Sequence, residues 1–63
     1  MSSPSVVVNE LLDAHKKLDE AYENIKRAMA YADDETYREL ENIRTQLVRV
    51  ILDIDTVIER YVR

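Results

Sequence analysis

The chain predicts an all-α fold: an α-helical hairpin that assembles with copies of itself into a homo-oligomeric, coiled-coil-like helical bundle. Apolar residues recur at alternating steps of three and four through both halves, the signature of a helix with one buried face. The second half carries two such seams side by side. A short acidic segment near the midpoint is the only break in the pattern, because the chain has no Gly and its one Pro is Pro4.

Helix 1 is expected over about 4–32. Ser3 before Pro4 reads as an N-cap with proline in the first turn, where its missing N–H costs nothing. Val8, Leu11, His15, Leu18, Tyr22, Ile25, Met29 and Ala32 then follow a heptad spacing. Val7, Ala14, Ala21 and Ala28 form a flanking column of mostly small residues that lets another helix approach closely.

The turn is placed at about 33–34, in Asp33-Asp34-Glu35-Thr36. Asp and Thr are weak inside helices but good N-caps, and acidic residues suit the positive end of the helix dipole. The core spacing also slips there, running 29, 32, 36, 40, 43. A hairpin explains the slip, and a continuous helix with a stutter explains it as well. Two capped halves of equal length favour the hairpin, whereas the missing Gly after helix 1 opposes it. In a hairpin, residues whose numbers sum to about 67 lie level.

Helix 2, over about 34–62, holds the two seams. Leu40, Ile43, Leu47, Val50, Ile54, Val57 and Tyr61 form the first. Val48, Ile51, Ile58 and Val62 form the second, with Arg44 and Asp55 as its polar members. One seam is satisfied by helix 1, and the other is expected to meet another copy. The expected oligomer contacts are therefore Val48, Ile51, Asp55, Ile58 and Val62, with Leu12 and Arg44. A dimeric four-helix bundle is the first expectation and a trimeric six-helix bundle the second.

Length supports the same conclusion. Sixty-three residues form one domain, 1–63, and a core of that size supplies no more than about 3–5 kcal/mol. With no Cys and a single His, disulfide or zinc stapling is not expected. The net charge of −4 argues against general affinity for phosphate backbones. No apolar run is long enough to span a bilayer and no signal-peptide pattern is present, so a soluble, cytoplasmic protein is expected.

Side chains with chemical potential are few. His15 sits on a core position level with Asp53 and a turn from Asp55, and two readings compete: a packed core histidine, or a pH-sensitive His–Asp latch. Asp55 is either a polar contact that sets register, with Arg44 of another copy as its partner, or a solvated carboxylate at the rim. Tyr22 is level with Thr45 and Gln46, either of which suits its hydroxyl, and Tyr31 and Tyr37 are expected to pack across the turn. The buried polar candidates are thus His15, Tyr22, Gln46, Asp53 and Asp55. Glu20 and Glu23 lack a second inward acidic pair, so no metal is expected there. Lys16, Lys17, Lys26 and Arg27 alternate with acids, and Asp13–Lys17, Lys16–Glu20, Glu23–Arg27, Arg49–Asp53 and Glu59–Arg63 are expected as surface i,i+4 pairs. No nucleophile–base pair or phosphate loop exists, so no catalysis, cofactor or small-molecule ligand is expected.

As an architecture, a hairpin of about sixty residues with an acidic, glycine-free turn resembles the Rop-type plasmid copy-number regulators. That resemblance implies a dimeric four-helix bundle that binds RNA or, more broadly, a helical partner segment. The Ser-Pro start, consistent binary pattern, dense ion pairing and absence of Gly and Cys also resemble de novo designed helical-hairpin homo-oligomers. That second resemblance implies a scaffold whose only activity is self-association.

Overall fold

The computed structural model describes residues 4–62. The expected cap at Ser3 and the expected pair Glu59–Arg63 therefore lie outside the described residues. Two helices, α1 (Pro4–Met29) and α2 (Asp34–Val62), pack side by side as an antiparallel hairpin. The hairpin measures 48 × 18 × 15 Å. A continuous helix of this chain would be roughly twice as long at 1.5 Å per residue, so the hairpin alternative holds.

Helix α1 ends at Met29, about three residues before the expected boundary at 32. The amides of Ala30, Tyr31 and Ala32 bond to the carbonyls of Arg27, Ala28 and Met29 at 3.2, 3.1 and 3.3 Å. These i→i−3 bonds tighten the last turn and satisfy carbonyls that an αL cap usually serves. No described residue has positive φ, so the turn needs no glycine. The absence of Gly, which opposed a hairpin in the sequence, is explained by this route.

Asp33 starts α2 as its N-cap. Its side-chain Oδ1 accepts the Thr36 amide at 2.8 Å, and its carbonyl accepts the Tyr37 amide at 2.8 Å. The backbone N–H of Thr36, and then the Thr36 side chain, hold the Asp33 carboxyl below its ordinary range. Asp34 and Glu35 follow in the first turn, where the dipole favours them.

The interface between helices is thin. Met29, 8% exposed, is the only buried hydrophobic side chain among the described residues, and none is fully buried. Leu11, Leu18, Ile25, Leu40, Leu47, Ile51, Ile54 and Ile58 are half-buried. The contact line on α2 therefore runs between the two seams. It takes Leu40, Leu47, Ile54 and Val57 from the first, and Arg44, Ile51, Asp55 and Ile58 from the second.

Candidate interaction surface

Because α2 turns the boundary between its seams toward α1, each seam keeps an exposed outer part. On one edge Ile43, Val50 and Tyr61 stand exposed, and on the other Val48, Leu52 and Val62. Helix α1 adds Val6 and Leu12 to the exposed apolar surface. Among the expected oligomer contacts, Leu12, Val48 and Val62 are exposed, whereas Ile51, Ile58, Asp55 and Arg44 are half-buried within the hairpin.

His15 is the polar centre of the hairpin. Its Nε2 lies 3.1 Å from Asp55 Oδ1 across the helix pair, and its Nδ1 lies 3.1 Å from Asp19 Oδ2 one turn along α1. Both ring nitrogens thus face carboxylate oxygens. Both can donate only when the ring is an imidazolium, because the neutral ring has one donor and one acceptor. The cross-helix partner is Asp55, while Asp53, level with His15 by the simple count, is exposed. Asp53 lies about 200° round α2 from Asp55 and so faces away from α1, and side-chain direction accounts for the offset in level of Asp55. Cα–Cβ bonds tilt toward each helix's own N-terminus, so in an antiparallel pair the His15 ring leans toward the open end while the Asp55 carboxylate leans toward the turn. They meet between backbone positions that are not themselves level.

Arg44 is the other half-buried charge, and it has no carboxylate partner among the described residues. Its Nε is shielded from solvent with no hydrogen-bond partner. Arg44 lines an open groove of about 340 Å³ near the turn, with Lys26, Met29, Ala30 and Tyr37. The distance along α2 from Arg44 to Asp55, eleven residues or roughly 16 Å, rules out a direct pair within one chain.

The tyrosines depart from expectation. Tyr31, 92% exposed, touches too little to pack on Tyr37, which instead lines the groove. The early end of α1 is the cause, since it puts Tyr31 in the turn with its side chain directed to solvent. Tyr22 is half-buried, with Lys26 Nζ 5.5 Å from its ring centroid, a cation–π contact. Thr45 donates its hydroxyl to the Glu41 carbonyl at 3.0 Å, and Gln46 is exposed, so neither serves the Tyr22 hydroxyl. The Thr56 hydroxyl donates to the Leu52 carbonyl in the same way, at 3.1 Å.

On the outer faces, Lys17 and Asp13 pair at 3.0 Å as expected, and Asp13, chiefly through its hydrogen bond, raises the Lys17 pKa. Lys26 takes Glu23 at 3.8 Å, and Arg27 donates to the Asn24 side-chain oxygen, so the expected Glu23–Arg27 pair is replaced by two i,i+3 contacts. Lys16–Glu20 and Arg49–Asp53 are not ion-paired in this structure. Exposed pairs contribute little in either arrangement. Glu20 and Glu23 lie on the outer face of α1 beside Asp19, Asn24 and Arg27. No group of three or more His, Asp or Glu is placed to hold a metal among the described residues.

The fold and its surface thus define a class: a two-helix antiparallel hairpin with unfilled apolar edges. Comparison with protein-family models, with curated proteins and with solved structures found no match for this chain. Neither helix is long and apolar enough to cross a membrane.

Proposed function

We propose that this chain is a self-association module, a helical hairpin that pairs with a second copy to make a four-helix bundle and performs no catalysis. The observation that carries this reading is the imbalance between the single buried hydrophobic side chain among the described residues, Met29, and the exposed apolar edges of α2. A two-layer domain needs each amphipathic stripe covered, and one helix cannot cover an arc as broad as that of α2. Exposed apolar surface of this extent on a small domain marks an interaction site. Homo-oligomers with two-fold symmetry are the commonest solution for such a surface.

The test is sedimentation at two concentrations with circular dichroism on the same samples. A helical species of twice the chain mass supports the reading, and a helical monomer at micromolar concentration overturns it. An RNA-binding hairpin of the Rop type predicts a different result, namely binding to paired RNA loops with a steep salt slope. The interleaving of Lys16, Lys17, Lys26 and Arg27 with acids favours the module over that reading.

A further inference from the structure

We infer that the second copy docks on one side of the hairpin, where exposed Ile43, Val50 and Tyr61 of α2 run beside Ala14 and Ala21 of α1. The opposite side, which holds His15, stays open. This inference rests on the self-association reading and specifies the surface it uses.

The two long sides of the hairpin differ in charge. With about 100° between successive residues, the edge of α2 bearing Asp55 and Arg44 adjoins the edge of α1 bearing His15 and Lys26. Two observations place them together: the His15–Asp55 contact and the groove that Lys26 and Arg44 share. That side therefore carries five titratable groups near its centre, namely His15, Asp19, Lys26, Arg44 and Asp55. The other edge of each helix meets on the other side by the same geometry. There α2 presents Ile43, Val50 and Tyr61, all exposed, and α1 presents Val7, Ala14 and Ala21, all half-buried. Glu10 and Glu39 lie about 20° beyond Ala21 and Val50 at its outer margin, and both are exposed.

Covering the first side with a second copy takes His15, Asp19, Lys26, Arg44 and Asp55 out of water, and Arg44, whose Nε is already shielded without a hydrogen-bond partner, would be left there with no carboxylate of its own chain. Covering the second side buries mainly apolar groups, with no charged residue between Ile43, Val50 and Tyr61 of α2 and Ala14 and Ala21 of α1. Size and shape also point to a second copy as the occupant. A face of 48 × 18 Å matches the roughly 800 Å² per partner of a stable interface. The face is self-complementary, bulky along α2 and shallow along α1. A two-fold axis parallel to the helices lays each α2 antiparallel on the other copy's α1, so bulky residues meet alanines.

Charge insertion on each side tests this. Val50→Glu and Ala21→Glu are expected to weaken association roughly 100-fold or more. Leu12→Glu and Val48→Glu, on the other side, are expected to leave the dimer mass in place. Should the first pair also unfold, a soluble paramagnetic agent reads the same surface in the unmodified protein by NMR. The methyls of Ile43 and Val50 are then shielded, while those of Leu12 and Val48 are broadened. The reverse pattern in either experiment, or a trimeric mass, overturns the assigned face and its two-fold geometry. A monomeric unmodified chain overturns the self-association reading itself.

Discussion

Among the described residues, the His15–Asp55 bridge is the one ion pair that joins the two helices. His15, Asp19 and Asp55 are all partly exposed, with side chains 27%, 58% and 49% accessible, so screening limits their worth. A double-mutant cycle of His15→Ala and Asp55→Ala is expected to give a coupling of about 0.5–1 kcal/mol by thermal or denaturant unfolding. Zero coupling leaves His15 as packing alone. Met29 belongs to the same scale but acts by volume. Met29→Ala removes the best-buried side chain and is expected to cost about 2 kcal/mol, the low end for core truncation, because the site can partly collapse. His15 on a core position was visible in the heptad spacing. The same spacing puts Asp55 one turn away, whereas the level count puts Asp53 opposite, a residue that helix rotation turns to solvent.

At the scale of the element, the turn decides whether there is a hairpin at all. Asp33 caps α2 through the Thr36 amide, and that hydrogen bond depresses its carboxyl. The sign follows from linkage: a lowered folded-state pKa stabilises above the ordinary carboxyl range, and the contribution fades as pH falls through the lowered value, below about pH 4. Asp33→Ala is expected to lower the melting temperature by several degrees at pH 7. The difference from the unmodified chain should shrink on acidification to pH 3. A pH-independent difference removes the charge from the explanation and leaves only the cap geometry. The acidic segment announced this cap directly in the sequence. The end of α1 was less legible, because helices can close through i→i−3 bonds without any signature residue, and Ala30-Tyr31-Ala32 carries none. The same three residues explain why Tyr31 is exposed instead of paired with Tyr37.

For the molecule as a whole, stability and assembly are expected to be one equilibrium. Under the proposed self-association, a hairpin with so little buried surface would draw its remaining stability from mass action, and the melting temperature is expected to rise with protein concentration. A melting temperature constant over a hundredfold dilution breaks that link. The chain's composition already excluded disulfide and zinc staples, which is why oligomerisation remained.

What the sequence determined by itself was the periodic part: two helices, their approximate lengths, the acidic cap between them, and an apolar arc on α2 too broad for one neighbour. These follow from local spacing and local capping, which act within a turn or two of the chain. The rotation of α2 about its own axis was left to the tertiary structure. Both seams are apolar, and burial is nearly indifferent to direction, so the pattern alone cannot say which seam faces α1. The packed hairpin turns the boundary between them inward, where Leu47, Ile51 and Ile58 meet α1 and His15 reaches Asp55. That rotation gathers His15, Asp19, Lys26, Arg44 and Asp55 on one side, which also keeps Leu12, Val48 and Val62 exposed, and leaves Ile43, Val50 and Tyr61 on the other. The distinction is absent from the spacing because it depends on which edges of two helices come together.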